Sequence, residues 1–404
     1  MKLLFLSSWF PYPPINGAKI RIYNLLRSVA KKHQVTLVSF VNTLPWEQVE
    51  SEVKFIEEFC ARVIAIPRPT PNRARYTLGY FSPLPRHLVS TYSEKAMQTI
   101  RDIVARDEFD VLVSSEVGDG SGMAYYASKV VGCPKILDCL EVAVYVDRLS
   151  VPSTFQRFRN YLTWLKGKAY LRDLLTSFDI CTVPSSLEQS YVSRLATSRT
   201  RLEVVPHSLD LEYLDFRQDD CKKLDSLVYN GALSYFPNKD AVQFFLTEIF
   251  PVIRQAIPTV ELKVLGDPDD FDVPGWQKRC AVRFLGHLRD VRHEISTACV
   301  NIVPLRHGSG TRLKIVESMA LGTPVISTSK GAEGLDVTPE ENILIADAPA
   351  DFAAQTIRLL RDPVLRKRLA ENGRRLVEEK YDWRVIGARF NELVESVARK
   401  ERGV

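Results

Sequence analysis

The length, composition and charge of the chain are those of an ordinary globular protein. It has 404 residues, of which 45% are hydrophobic and 25% are charged, and this balance excludes disordered, collagen-like and disulfide-framework proteins. At roughly 100–200 residues per domain, the length favours two domains. The net charge of +5 is too small to indicate nucleic-acid binding, and it is compatible with anionic ligands or anionic lipid headgroups.

The cysteines and the first residues of the chain indicate the cellular compartment in which we expect the protein. The seven cysteines are scattered, and none forms a Cys-x-x-Cys pair, so we expect no zinc site and no disulfide framework, and a cytoplasmic protein with reduced thiols fits best. The opening apolar run ends at Ser7 and is followed by a proline-rich turn, which predicts a buried strand and not a signal peptide. The sequence has no run of about 18 apolar residues, so we predict no membrane-spanning helix.

Short apolar runs alternate with segments of helical period in the first half of the chain. Residues Ile20–Lys31 carry apolar side chains at helical spacing between two such runs, as in a strand–helix–strand unit. This rhythm is typical of a parallel sheet covered by helices on both faces. It predicts a first domain over 1–206, with strands at Leu3–Leu6, Val35–Phe40, Val63–Ile66, Val111–Val113, Lys135–Leu137, Ile180–Val183 and Leu202–Val205.

The same rhythm restarts after a linker that contains Pro206, Asp219 and Asp220. We predict a second doubly wound α/β domain over 207–385 and a C-terminal helix over 386–404 that could return to the first domain. Two such domains are expected to face each other across a cleft that holds the ligand, since ligands of parallel sheets bind beyond the carboxyl ends of the strands. The predicted strands of the second domain are Ser226–Asn230, Glu261–Leu265, Val282–Leu285, Asn301–Pro304, Pro324–Ser327 and Asn342–Ile345.

Asn16 and Gly17 form a small-residue turn between the first strand and the first helix. The free N–H groups and the dipole at a helix N-terminus favour a phosphate or a developing anion, and Gly17 would allow close approach of the ligand. On local sequence alone, a plain strand-to-helix turn is an equally good interpretation.

A second strand, glycine-rich loop and helix occur around residues 307–320, and this segment is the most informative in the chain. The loop residues Ser309, Gly310 and Thr311 would offer N–H donors, and Arg312 and Lys314 place two cations in the first helical turn. Cations are normally unfavourable there, so a bound anion would explain them.

Glu317 lies farther along the same predicted helix, among apolar neighbours. Its carboxylate could accept hydrogen bonds from sugar hydroxyls. It could equally be the ion-pair partner of Lys314 at three-residue spacing.

Four segments, taken in this order, resemble the family-4 retaining glycosyltransferases of the GT-B fold, and the resemblance covers nearly the whole chain. Only the block 308–327 is specific by itself. The segments are Phe10–Gly17 with Arg21, Val204–Asp210, Asn230–Asn238, and Gly308–Ala320 followed by Leu321–Ser327.

The resemblance implies a hexosyltransferase-type enzyme that uses a nucleotide-diphosphate sugar, retains the anomeric configuration and needs no cofactor. It implies that Gly17 faces the diphosphate and reacting sugar and that Glu317 meets the nucleotide ribose. The loop at 329–334, with Glu333, resembles a segment near the donor. The donor-binding set expected on these grounds is Asn16, Gly17, Gly231, Ser309, Gly310, Thr311, Arg312, Lys314, Glu317 and Glu333.

The chain departs from the family pattern at the positions of two usual contacts. Many members carry two glutamates eight positions apart, and here the first of these positions is Ser309. The Arg and Lys that commonly clamp the diphosphate have no clear counterpart in 231–238, where Lys239 is the nearest cation. We hypothesise that Arg312 and Lys314 replace that clamp, because bidentate Arg geometry suits a diphosphate.

Carboxylates follow two strands of the first domain, where an acceptor would bind. With Gly17, the catalytic candidates are Glu141 and Asp138, ranked in that order, and Glu116 is placed in a similar way. Each could orient the acceptor hydroxyl, and each could equally cap a helix. His207 replaces the asparagine usual in relatives, and we interpret it as a turn or packing residue rather than a base.

The acidic loop at 267–270 is interpreted as solvated surface, and we predict a metal-independent enzyme without a metal site. The predicted partners are the nucleotide-sugar donor and a carbohydrate or lipid-linked acceptor, with no nucleic acid. Arginines such as Arg68, Arg73 and Arg75 could hold the enzyme at the inner face of a membrane, although such arginines are often plain surface.

Two alternative functions stay open at this point. One is a hydrolase or epimerase of nucleotide sugars with the same fold. The other is a non-catalytic partner subunit that binds a nucleotide sugar or a sister transferase, which the absence of the first glutamate at Ser309 would suit.

Overall fold

The computed structural model describes residues 1–42, 46–116, 122–147, 154–197, 200–216 and 223–401. The chain divides into two compact units: unit 1 is Met1–Ser208 together with the segment that begins at Trp383, and unit 2 is Leu209–Asp382. The predicted domain boundaries at 206 and 385 lie two and three residues from these divisions. Asp219, Asp220 and Cys221 lie outside the described residues.

Unit 1 contains a seven-stranded parallel sheet in the order β3-β2-β1-β4-β5-β6-β7. Because the order reverses direction at β1, the sheet is doubly wound in the Rossmann manner. Its interior strands are apolar on both faces, as expected for a sheet covered by helices on each side. The strands are β1 (Lys2–Ser7), β2 (Gln34–Val41), β3 (Arg62–Pro67), β4 (Val111–Ser115), β5 (Lys135–Asp138), β6 (Ile180–Val183) and β7 (Arg201–Val204).

Helices cover both faces of this sheet. Alternate residues of β1 face opposite cores, with Leu3 and Phe5 on one side and Leu4 and Leu6 on the other. The helices before the second unit are α1 (Gly17–Ala30), α2 (Trp46–Glu57), α3 (Arg73–Leu78), α4 (Arg86–Thr91), α5 (Glu94–Arg106), α6 (Met123–Ser128), α7 (Ala143–Asp147), α8 (Thr154–Leu175) and α9 (Ser186–Val192).

Unit 2 repeats this plan with six parallel strands in the order β10-β9-β8-β11-β12-β13. Here the order reverses at β8, the first strand of the unit, so this sheet is also Rossmann-like. The strands are β8 (Lys223–Asn230), β9 (Glu261–Leu265), β10 (Val282–Gly286), β11 (Ala298–Val303), β12 (Val325–Ser327) and β13 (Leu344–Ile345).

The helices of unit 2 flank a single apolar core. A 3₁₀ turn lies at Leu211–Tyr213, and a π-helical turn at Phe245–Ile249 joins two of the helices. They are α10 (Phe236–Phe244), α11 (Phe250–Ala256), α12 (Val273–Arg279), α13 (Arg292–Ser296), α14 (Leu313–Ala320), α15 (Pro349–Arg361) and α16 (Pro363–Lys380).

The last helix, α17 (Trp383–Glu401), returns to unit 1 and packs along α1. The amide nitrogen of Asn391 donates to both the hydroxyl (2.9 Å) and the carbonyl (3.2 Å) of Ser28. Gly387 lies so close to Ser28 that a Cβ there would collide with the hydroxyl. Arg27 and Lys31 both lie over the ring of Trp383, so the first and last helices of unit 1 are joined along their length.

The predicted α/β fold class and its two parallel sheets are confirmed. Each predicted strand is present within three residues of its predicted ends. Among the described residues, no helix combines the length and apolar content that a membrane span requires.

Candidate functional site

The glycine-rich loop of unit 2 joins the buried strand β11 to the N-terminus of α14. Gly308 and Gly310 have φ angles of +95° and +85°, a left-handed conformation that glycine adopts readily. Arg312 is the last residue before the helix, and its guanidinium donates back to the carbonyl of Ser309. The loop therefore closes on itself and places the start of α14 at the carboxyl end of the sheet, where ligands of such sheets bind. The N–H groups of Leu313 and Ile315 donate to the carbonyls of Thr311 and Arg312.

Lys314, in the first turn of α14, reaches across to the carboxyl end of β8. Its Nζ donates to the hydroxyl of Tyr229 (3.1 Å) and to Oδ1 of Asn238 (3.0 Å). It also lies 4.3 Å from the centre of the Tyr229 ring. Burial lowers the pKa of Lys314 to about 7, with a further lowering from Arg312 that Glu317 opposes. An anion placed beside this amine would restore its full positive charge.

Gly231 makes room for that amine. A Cβ at position 231 would lie 2.6 Å from the Lys314 Nζ and 2.9 Å from the Asn238 amide nitrogen. Gly266, at the end of the neighbouring strand, packs equally closely, since a Cβ there would lie 2.6 Å from the carbonyl oxygen of Gly231. Any side chain at 231 would therefore displace the lysine.

Glu317 lies one turn farther along α14 and accepts a hydrogen bond from the side-chain amide of Asn230 (3.1 Å). Asn301 supports that amide, since its own Nδ2 donates to Asn230 Oδ1 (3.1 Å) and to Ser318 Oγ (2.7 Å). Burial raises the pKa of Glu317 to about 7, against the opposing effect of Lys314. Lys314 and Glu317 have different hydrogen-bond partners. This arrangement favours contact with a ligand over a simple Lys314–Glu317 ion pair.

Other predicted donor-side residues are engaged with neighbours. Glu333 accepts a hydrogen bond from Lys330 (2.6 Å) in the loop after β12. Lys239, the nearest cation after Gly231, donates to the exposed Asp270, so it turns toward the acidic loop. Of the predicted donor set, the structure thus brings Gly231, Arg312, Lys314 and Glu317 together around the start of α14.

Asn16 and Gly17 begin α1 in unit 1. Asn16 is the N-cap, and its Oδ1 accepts the backbone N–H of Lys19 (3.0 Å). Gly17 is the first residue of the helix. The cap is what a plain strand-to-helix turn requires, and the anion-binding interpretation of this turn stays a prediction.

Asp138 was a catalytic candidate, but its surroundings favour a structural role. It is fully buried, and its carboxylate binds the Arg21 guanidinium through two hydrogen bonds of 2.7 and 3.2 Å. Ser115 and Thr182 donate to the same carboxylate. Although burial alone would raise the pKa of Asp138, Arg21 and these hydroxyls hold it below its usual value. With both oxygens occupied, this carboxylate has no position left for an acceptor hydroxyl.

Arg21 also donates to the carbonyls of Val205 (2.8 Å) and Pro206 (3.0 Å). Together with its bonds to Asp138 and Thr182, these contacts tie α1 to the carboxyl ends of β5, β6 and β7. In the sequence, Arg21 could be recognised only as a part of the first motif, because a buried arginine on an apolar helix face gives no sign of its partner.

Glu116 caps a helix, which was one of the two roles considered for it. Its carboxylate accepts the backbone N–H groups of Gly122 (3.1 Å) and Ala124 (2.8 Å) at the start of α6. Glu188, which sequence reasoning did not single out, serves α7 in the same way through Val142 and Ala143. Both carboxylates stabilise helix N-termini.

Glu141 lies in a small cluster with Cys139 and His207. The His207 Nε2 is 3.6 Å from Glu141 Oε1 and 3.8 Å from the Cys139 sulfur. Cys139 and His207 are buried, whereas Glu141 is partly exposed. His207 is thus buried beside Glu141, and its interpretation as a turn or packing residue stays a prediction.

The same three side chains are the ones among the described residues that could hold a metal ion, with donor atoms within 4.8 Å of one another. The permanent charge of Arg21 acts on both Cys139 and Glu141, and this nearby cation disfavours a second one. Burial also raises the pKa of the Cys139 thiol well above its usual value, which disfavours the thiolate that a metal would need. The cluster is better suited to hydrogen bonding than to a metal.

Several residues that build the donor-side geometry were not predicted. Tyr229 and Asn238 hold Lys314, and Asn230 and Asn301 hold Glu317. Tyr229 and Asn230 end β8, and this position was the available signal for those two. Asn238 lies in α10 and Asn301 lies within β11, so neither carried that signal. Their pairing depends on which strands become neighbours.

The chain resembles known proteins in sequence. Residues 225–362 match the family described as Glycosyl transferases group 1. A Klebsiella pneumoniae protein, described as an uncharacterized 44.6 kDa protein in the cps region, is 23% identical over 94% of this chain and 96% of its own length.

Two solved structures resemble the whole chain. Sucrose-phosphate synthase from Thermosynechococcus elongatus superposes with a TM-score of 0.72 at 19% identity, over 99% of this chain and 100% of that one. Anabaena HepE in complex with UDP gives a TM-score of 0.68 at 14% identity, over 98% and 100%. These likenesses confirm the predicted GT-B architecture of two Rossmann-like domains. Residues 225–362 form a glycosyl transferases group 1 domain, and the chain is a glycosyltransferase.

Proposed function

We propose that this glycosyltransferase moves a sugar from a nucleoside-diphosphate sugar to an acceptor hydroxyl, with retention of configuration and without a metal. The observation that carries the proposal is the Lys314 ammonium, held against Gly231 at the N-terminus of α14. A lysine and an arginine at a helix N-terminus form a site for a diphosphate. Arg312 and Lys314 are the proposed clamp, in place of the cations that relatives carry after β8.

Glu317 is proposed to accept hydrogen bonds from the nucleotide ribose. Its carboxylate is fixed by Asn230 and is one helical turn from Lys314. The ribose and the diphosphate of one nucleotide lie about that far apart, so a single ligand would satisfy both groups. This arrangement orients the donor and leaves its sugar beyond the diphosphate.

Catalysis then consists mainly of stabilising the departing nucleoside diphosphate. Negative charge grows on the diphosphate as the glycosidic bond breaks, and the helix N-terminus, Arg312 and Lys314 oppose it. Two fixed cations supply what a divalent metal would otherwise supply, which is the basis for proposing a metal-independent reaction. Retention rests on the resemblance to the family-4 enzymes.

In unit 1, Glu141 is the proposed group that orients the acceptor hydroxyl. It is partly exposed, and His207 lies 3.6 Å from it. Gly17, at the start of α1, stays a prediction for contact with the reacting sugar. The acceptor class proposed is a carbohydrate or a lipid-linked sugar.

The test is turnover of a panel of UDP- and GDP-sugars by the purified chain, with and without glycan and lipid-linked acceptors. The UDP complex of HepE makes UDP-sugars the first to try. Transfer that depends on an acceptor, with the donor's anomeric configuration in the product by NMR, supports the proposal. Sugar release at the same rate without acceptor identifies a hydrolase, and nucleotide-sugar binding without turnover identifies a partner subunit.

A further inference from the structure

The exposed apolar side chains of unit 1 concentrate in two short segments. Phe81 is 90% exposed, and Leu78 and Tyr80 are more than 60% exposed. The N-terminal half of α8 carries a second group, of which Phe158 is 62% exposed. We call the following set the basic–aromatic surface: Tyr76, Leu78, Tyr80, Phe81, Phe158, Tyr161, Leu162 and Leu165, with the basic residues Arg73, Arg75, Arg86, Arg157 and Arg159.

On α8 the apolar members lie at positions i, i+3, i+4 and i+7 from Phe158, so they share one helix face. Such a stripe normally faces a core. Here the core contacts of α8 are made farther along the helix, by Leu171, Leu174 and Leu175. The stripe at the N-terminal half of α8 is therefore apolar surface that the fold of unit 1 does not use.

The two segments lie together. Lys166 of α8 donates to the carbonyl of Gly79, at the end of α3. The Arg86 guanidinium lies over the rings of both Tyr76 (3.9 Å) and Tyr80 (3.5 Å). Burial lowers the pKa of Lys166, and Arg86 lowers it further. The helix α3 itself has no buried residue, so its apolar side chains contribute to this surface rather than to a core.

The charge of this surface is of one sign. Residues 72–91 and 154–172 contain eight arginines and lysines and not one aspartate or glutamate. A surface that combines cations with exposed aromatic and aliphatic side chains is suited to binding at the interface of an anionic bilayer. Tyr and Arg suit the headgroup level, while Phe and Leu can enter the acyl boundary.

We propose that the basic–aromatic surface docks unit 1 on a lipid bilayer that carries anionic headgroups. A second copy of the chain is disfavoured as the occupant, since a two-fold contact would place like cations against each other. The proposal concerns membrane binding alone and does not depend on the sugar donor. A negative result for membrane binding therefore leaves the proposed function untouched, and the reverse also holds.

The experiment is flotation of the full chain with vesicles of phosphatidylcholine alone or of phosphatidylcholine with phosphatidylglycerol. Binding is expected only with phosphatidylglycerol and should weaken as salt screens the charges. Phe81→Ser with Leu162→Gln should weaken it at least about tenfold, from lost apolar transfer, and Arg157→Gln with Arg159→Gln about as much. All four side chains are exposed, so the thermal unfolding midpoint should not change.

Val131→Gln is the matched control, because Val131 is 81% exposed in the same unit but outside the surface, and it should bind as the unchanged chain does. Equal binding to both vesicle types, or vesicle binding that the surface variants leave intact, overturns the proposal. Absence of vesicle binding also overturns it, and concentration-dependent dimerisation that the same variants abolish would then identify a second copy as the occupant.

Discussion

The Lys314 ammonium occupies the space that a side chain at Gly231 would need, with 2.6 Å between its Nζ and a Cβ at position 231. Hydrogen bonds to Tyr229 and Asn238 fix the amine in this position. The position of the lysine amine therefore depends on the absence of a side chain at Gly231, although 83 positions separate the two residues in the sequence.

Gly231→Ala tests that relationship. The added methyl group must move the Lys314 amine away from its hydrogen-bond partners, so we expect the dissociation constant for the nucleotide sugar to rise about 10- to 100-fold. Isothermal titration calorimetry measures it. Gly167→Ala is the control, because a Cβ there meets no atom within 4 Å. Donor affinity equal to that of the control would show that the close approach has no role in binding.

Neutralising the proposed clamp should have a larger effect. Arg312→Ala with Lys314→Met removes both charge-assisted hydrogen bonds, and we expect donor affinity to fall by about 100-fold or more. Arg279→Ala with Lys278→Met, at two exposed cations of α12, serves as the charge-matched control and should bind normally. Unchanged donor affinity in the double variant would refute the clamp.

The low pKa of Lys314 predicts proton uptake on donor binding. At pH 8 the amine, with a pKa of about 7, is mostly neutral in the free enzyme, and the arriving diphosphate raises that pKa and recharges it. Calorimetry in two buffers of different ionisation enthalpy, with an intact nucleotide sugar, should detect the uptake. The uptake should vanish in Lys314→Met. If it persists there, another group takes up the proton.

The same pair of groups predicts the pH dependence of kcat/KM. Above about pH 7 Lys314 loses the charge that binds the diphosphate, and below about pH 7 Glu317 gains a proton and binds the ribose less well. We expect a bell-shaped profile centred near neutrality. Glu317→Gln should flatten its acid side only, whereas an unchanged acid limb would assign that limb to another group.

The Arg21–Asp138 pair predicts a stability effect rather than a catalytic one. Arg21→Met or Asp138→Asn leaves one buried charge without its partner, so the free energy of unfolding should fall by about 3–5 kcal/mol. Denaturant unfolding measures it. Arg62→Met removes an exposed ion pair with Asp107 and should cost less than about 1 kcal/mol. If Asp138→Asn instead kept full stability and lost turnover, Asp138 would return as the catalytic candidate.

Much of the fold could be predicted from the sequence, because both sheets are parallel and buried on both faces. Runs such as Val111–Val113 and Ile180–Val183 are buried at every position, so no solvent-facing alternation obscures them. The turn at Asn16 and the loop before Leu313 were also visible, since glycine and cap residues mark helix starts.

The side-chain partners were less accessible to prediction. Asp138, Glu116 and Glu141 all follow strand ends, yet one binds a buried arginine, one caps a helix and one meets a histidine. These outcomes depend on residues 6 to 117 positions away. The local sequence pattern shows that such carboxylates follow strands. It does not show which partner each carboxylate binds.

The return of α17 to α1 has a consequence for biosynthesis. Unit 1 is built from two stretches of chain, and the second, beginning at Trp383, emerges from the ribosome only after all of unit 2. Until then the apolar groove beside Ile22 and Leu25 lacks Ile386 and Phe390. The first half of unit 1 therefore stays incompletely closed until α17 has been synthesised.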